Sequence, residues 1–468
     1  MKNFLLVLSL ALPMHAWADT EPARISDESL ALATQLREQA MAGSGAYDMV
    51  ESLTTEVGPR LAGSEADARA VAWAVAKFKA LGFDKVYTEP VRFPTWRRGH
   101  ERAEVLSPYP QPLHLTALGG SIGTGGKLLE AEVVEFATLK DLEAAAEGSL
   151  DGKIAYVSQR MQRFRSGKGY GEAVAARGAA SVAAKRGAVA YLLRSVGTDH
   201  DRLAHTGMMR YRPDAPQIPA AALSNPDADL LSNMIRRGQP VKLRLDIDAG
   251  PGPEYESANV IGELVGSEHP EQVVVIGGHL DSWDLGTGAI DDAAGVAISA
   301  RAAALIATLP RRPKRSIRVI AFANEEQGLI GGFAYAKAHA AEVAQHLIGA
   351  ESDFGAGRIY AFATRTPPEG SRVAVEQIAA ALEPLGIQYL PGQGDAGPDV
   401  SPMAELGMAW AWLAQDGTDY FDYHHTANDT LDKVDAKDLD QNVAAYAVFS
   451  WLAADAPVGF GSAARKPE

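Results

Sequence analysis

At 468 residues, with 47% hydrophobic and 22% charged positions, the chain has the composition of a globular protein long enough for two domains. Its formal net charge of −15 argues against a nucleic-acid surface or an anionic membrane as partner. With no cysteine anywhere, a disulfide framework and a lipid-anchored start are excluded.

Residues 1–18 read as a cleavable signal peptide. Lys2 gives the charged start, 4–12 the apolar run, and Ala16-Trp17-Ala18 the small-x-small cleavage pattern. A membrane anchor fits less well, because the run is short and Pro13 interrupts it. The expected location is therefore the periplasm or the exterior. Segment 19–117 opens an α/β domain, with helical spacing over 26–56 and a loop at 58–64 ending in Ser64 as N-cap. A helix then runs to Gly82, and an alternating strand covers 86–93.

Near residue 118 the texture changes. The glycine-rich 119–126 lacks the Gly-Lys-Ser/Thr helix start of a phosphate loop and marks a boundary instead. Residues 118–245 carry short β runs at 153–157, 188–193 and 218–223 and an alanine-rich helix at 173–186, and read as an inserted β-rich domain. No catalytic cluster shows there: Asp199, His200, Asp201 and His205 read as a solvated polar loop. From 246 to 468 strands (259–264, 273–276, 317–323, 359–363, 409–413) alternate with helices (294–306, 372–383, 438–453), and the last dozen residues read as a loose tail. The alternation predicts an α/β fold, a mostly parallel central sheet with helices on both faces.

Four polar clusters each follow a strand: His279, Asp281 and Asp291; Asn324-Glu325-Glu326; Glu351-Ser352-Asp353; and Tyr423-His424-His425. Singly, each has a bland reading as a loop residue, a helix start or an N-cap. Parallel strands deliver their carboxyl ends to one edge, so the four can converge. Two histidines and several carboxylates suit a divalent metal, zinc first, and the carboxylate share suggests two ions.

The stretches GGHLDSW…GAIDDAAG, ANEEQGLIGG, ESDFGAG and HHTANDT, with the GPRLAGS loop, resemble the co-catalytic di-zinc exopeptidases of the aminopeptidase and glutamate carboxypeptidase-like family. The likeness covers nearly the whole chain and implies the zinc-exopeptidase fold, with 118–245 as a protease-associated-like insertion between the two parts of the catalytic domain, 19–117 and 246–468. By position it implies one Zn2+ on His279, Asp291 and Asp353 and another on Asp291, Glu326 and His425, with Asp291 bridging. It further implies Glu325 as general base toward a metal-bridging water, and Asp281 as acceptor of the His279 ring N–H. Tyr423 and His424 are left as oxyanion or substrate contacts.

No Lys or Arg lies between Arg372 and Lys433, where relatives acting on acidic substrates carry arginines. Asp416, Asp419 and Asp422 make the loop before His425 acidic, which suits a free α-amino group. The expected partner is a dipeptide or short peptide with a free N-terminus; nucleic acid and membrane are not expected, and a homodimer is left open. The alternatives are a glutaminyl cyclase-like single-zinc enzyme and a non-catalytic binding protein.

Overall fold

The computed structural model describes residues 23–464; the leader 1–18 lies outside them. Two 23-residue strands, Lys85–Ser107 and Lys242–Leu264, pair antiparallel along almost their whole length. The second strand carries the sheet across position 246. Its remaining edge carries, at the C-terminal end, Arg315–Phe322, followed by His269–His279 and His346–Glu351. The N-terminal end of the same edge carries Leu129–Phe136, followed by Ile154–Val157, Ala190–Arg194, Ala220–Leu223 and Leu115–Ala117. The sheet is therefore mixed. It is parallel among the three strands that end at the polar clusters, and antiparallel wherever Lys242–Leu264 takes part. Short apolar runs predict the buried half of such a ribbon; its charged half, from Arg97 to Arg102, has no apolar signal.

Burial explains the helices around the sheet. Ala294–Ala307 is nearly all small or apolar, and most of it is buried. Ala436–Asp455 starts where the Asp435 side chain accepts the Lys437 and Asp438 amides, and its apolar length lies in the core beside Asp27–Met41. Ser64 caps Glu65–Ala80 by accepting the Asp67 amide, as its position predicts. No described helix is long and apolar enough to cross a membrane.

Two expectations change. The strand before the histidine pair, Ala411–Gln415, belongs to a separate three-stranded sheet with Ile359–Thr364 and Gln388–Tyr389. It touches the large sheet through a single bridge, Gly349 to Trp410. The tail is docked rather than loose: Phe460 is buried, Ser462 Oγ donates to the Leu347 carbonyl, and the Ala463 amide donates to Gly407.

Candidate active site

Register brings the first three clusters to one edge. Phe322 pairs with His279 and Glu351 with Gly277, so three parallel strands end within two residues, roughly 7 Å, of each other. The loop that leaves His279 is held by a fully buried cation. Arg60 donates to the carbonyls of Leu280 (2.5 Å), Thr287 (2.7 Å) and Gly288 (2.9 Å). Asp429 anchors the next turn by accepting the Ala289 (2.7 Å) and Ile290 (2.8 Å) amides. Asp291 follows, joined to Asp292 by a cis peptide bond.

His279 donates from Nδ1 to the Asp281 carbonyl (3.0 Å), while its Nε2 lies 3.0 Å from Asp291 Oδ1 and 3.7 Å from Asp353 Oδ1. The Asp281 carboxylate, expected to take the ring proton, stands 3.6 Å from Nδ1 and instead accepts the Glu325 amide at 3.0 Å. Asp281 thus serves two clusters, the histidine through its backbone and the Glu325 loop through its side chain. Asp292 accepts the amides of His279 (3.0 Å) and Gly295 (2.9 Å), which ties strand end to helix start.

The other wall comes from the histidine pair. His425 Nε2 is 2.9 Å from Glu326 Oε2 and 3.3 Å from Asp291 Oδ2, and its Nδ1 donates to the Thr206 carbonyl (3.2 Å). His424 stacks on it at 3.5 Å between ring centres, with Nε2 3.7 Å from Asp291 Oδ2. Both Asn324 (φ 55°) and His425 (φ 62°) hold left-handed backbone that costs about 1 kcal/mol or more in a non-glycine residue. Such geometry persists where neighbours over-determine it. At His425 those neighbours come from 118–245: the Thr206 amide donates to the His425 carbonyl (3.1 Å), and His205 Nδ1 donates to that of His424 (2.8 Å). His205 Nε2 in turn meets Asp199 Oδ1 at 2.7 Å, and both side chains are buried. Of the group expected in a solvated loop, Asp199 and His205 form a buried clamp on the site, while His200 and Asp201 are exposed.

Burial pushes the carboxyls of Glu325, Glu326 and Glu351 well up. It also acts against a charged Asp291, but hydrogen bonds from His279 and His425 outweigh it and hold that carboxyl well below the usual range. The donors fit a divalent cation. Asp281 Oδ2, Asp291 Oδ2 and Glu326 Oε1 are buried without a hydrogen-bond partner, which is costly for isolated carboxylates and is relieved by a cation. His279, Asp291 and Glu326 offer ligand atoms within 4.8 Å of one another, as do Asp291, His424 and His425.

A cavity of about 640 Å3 opens over these groups. Glu325, Glu326, Asp291, Asp353, His424 and His425 line it from 246–468; Tyr170 and Arg177 reach it from 118–245. Tyr423 lies outside, in a neighbouring groove. Neither Arg177 nor Tyr170 was expected from the sequence. The available signal was one arginine within an otherwise small, apolar run, AVAARGAA, with no acid three or four residues away to pair with it. The acidic loop is also corrected: Asp416 pairs with Arg165 (2.9 Å), and Arg163 takes both Asp419 (2.8 Å) and Asp422 (2.6 Å). Those charges are spent on the 118–245 segment and do not line the cavity.

Comparison with known proteins places the chain in a family. Residues 259–450 match the model of peptidase family M28. Carboxypeptidase Q of Bos taurus is 35% identical over 409 residues, covering 87% of this chain and 85% of that protein. A peptidase M28 precursor from Shewanella amazonensis SB2B has a structure that superposes with a TM-score of 0.91 at 52% identity, over 94% of this chain and 100% of that one. The zinc aminopeptidase BSAP from Bacillus subtilis shares the fold at a TM-score of 0.62 and 20% identity, over 86% of this chain and 94% of that one. The chain belongs to peptidase family M28 and is a metallopeptidase.

Proposed function

We propose that this metallopeptidase is a di-zinc exopeptidase that hydrolyses dipeptides or short peptides with a free N-terminus. The observation that carries the reading is the placement of Asp291, whose Oδ1 faces His279 while Oδ2 faces His425. One ion would be held by His279, Asp291 and Asp353, the other by Asp291, Glu326 and His425, the shared carboxylate suiting a closely spaced pair. His425 rather than His424 suits the ligand role, because its Nδ1 is fixed by the Thr206 carbonyl whereas Nδ1 of His424 is buried without a partner. When bound, such ions polarise the scissile carbonyl and make water acidic enough to attack at neutral pH.

The remaining chemistry belongs to the chain. Glu325 lines the cavity and makes no ion pair among the described residues, so it is free to take the proton of the attacking water and return it to the leaving amine. Asp281 fixes the position of Glu325 through its amide. His424, at the cavity wall, is a candidate contact for the oxyanion. The 118–245 segment, a protease-associated-like insertion in this reading, caps the cavity through Tyr170 and Arg177 and limits substrate length. The leader supports export to the periplasm or exterior.

The test is a panel of free and N-blocked dipeptides assayed with and without chelator. Zinc-dependent cleavage of free dipeptides, with N-blocked ones turned over at least tenfold more slowly, is expected. Chelator-insensitive turnover or preference for blocked peptides would contradict the reading.

A further inference from the structure

We infer that Arg177, assisted by Tyr170, binds the free α-carboxylate of the substrate's last residue, which makes the dipeptide the preferred substrate. The inference rests on the hydrolase reading above and specifies its substrate.

Arg177 sits in the turn Val174–Ala179 and is 4% exposed. Its Nη1 donates to Tyr170 Oη at 2.7 Å. Its Nε is buried with no partner. Its Nη2 lies 3.5 Å from His425 Nδ1, but that nitrogen already donates to Thr206, so the contact joins two donors. No carboxylate forms an ion pair with Arg177 among the described residues. Among the described residues the other buried arginine side chains are answered: Arg60 by three carbonyls, Arg98 by Asp284 and Glu101, Arg194 by Asp229, and Arg315 by Gln272 and the Ala456 carbonyl. A buried guanidinium with open donors is costly unless an anion completes it. The backbone also makes room for it, since a Cβ at Gly207 (φ 144°) would stand 2.3 Å from the guanidinium carbon.

The donors on offer match a carboxylate. A guanidinium edge presents parallel N–H groups, and Tyr170 Oη, already accepting from Arg177, keeps its own hydrogen to donate. Both residues line the same cavity as Glu325 and Asp291. Reach sets the length. From the attacked carbonyl carbon, the carboxylate of a dipeptide lies only the C–N, N–Cα and Cα–C bonds away; each further residue adds about 3.3–3.6 Å. Because Arg177 stands against the ring of a proposed metal ligand, its donors suit the shorter span.

The experiment compares kcat/KM for a neutral dipeptide, its C-terminal amide and the corresponding tripeptide on the zinc-loaded protein. The free dipeptide should exceed the amide by about 10- to 100-fold, mainly through KM, the range expected for one charge-assisted contact. In Arg177→Met that ratio should fall toward one, and Tyr170→Phe should lower it by a smaller factor. Equal wild-type turnover of dipeptide and amide would overturn this inference and leave the hydrolase reading standing, as would an unchanged ratio in Arg177→Met. If that variant fails to fold, the wild-type ratio and Tyr170→Phe decide. Cleavage of none of the three would overturn the hydrolase reading and this inference with it.

Discussion

Arg60 and Arg177 approach the same cluster from opposite halves of the molecule, both fully or nearly fully buried, and differ in what meets them. Arg60 spends its donors on three backbone carbonyls and so fixes the loop between His279 and Asp291. Arg177 meets one phenol, stands against the His425 ring and keeps a buried donor without a partner at the cavity wall. The loop between His279 and Asp291 is thus held by the chain's own groups, whereas 118–245 brings a guanidinium with an unpaired donor to the cavity wall. A buried charge that is answered stabilises; one left open points to a partner.

This comparison can be broken in order of effect. Arg60→Ala should be the most damaging, leaving three buried carbonyls without donors and costing about 3–5 kcal/mol in chemical denaturation, with metal occupancy falling too. A loss below 1 kcal/mol would remove the claim that Arg60 holds the loop. The catalytic half should also fail first in acid. His346, buried at the start of the strand that leads to Asp353, has its pKa pushed down to about 4 by burial. Between its unfolded value near 6.5 and about 4 the unfolded chain binds the extra proton. Its stabilisation is therefore present above pH 6.5 and lost as pH falls to about 4, on the order of 3 kcal/mol. In His346→Gln the stability curve should be flatter over that window; an unchanged slope would contradict the assignment.

On the other half, His205→Ala should cost about 2 kcal/mol, by orphaning the His424 carbonyl and one side of Asp199, and should weaken metal binding. Full metal affinity in that variant would show that the clamp does not position His425. Arg163→Ala should matter least, well under 1 kcal/mol, because its ion pairs with Asp419 and Asp422 are partly exposed. It should also leave dipeptide KM within about twofold, since those acids lie outside the cavity. A large KM change would restore the acidic loop to substrate recognition.

What could be read from the sequence follows from range. His279, Glu326 and Asp353 were legible because each closely follows an apolar run, and the gathering of those strand ends at one edge is a property of the α/β pattern; Asp291 and His425 lie in loops, and only the resemblance to the di-zinc exopeptidases implied their place in the set. Arg177, Tyr170 and His205 were not, because they work across the fold: the Arg177–His425 contact spans 248 positions and the His205–His424 bond 219. No local period encodes such pairings. The acidic loop misled for the same reason, since its arginines lie some 250 positions earlier in the chain. The docked tail escaped notice because it is held by one buried side chain, Phe460, and by the Ser462 hydroxyl and the Ala463 amide, too few positions to form a period.

The central claim, a two-ion site with Glu325 as its base, is tested most directly by counting metal in Glu325→Gln while assaying dipeptide turnover. The account predicts about two ions per chain, as in the wild type, with turnover reduced at least 10³-fold, near the range for loss of a general base. An active Glu325→Gln enzyme, or a wild type holding one ion per chain, would contradict it.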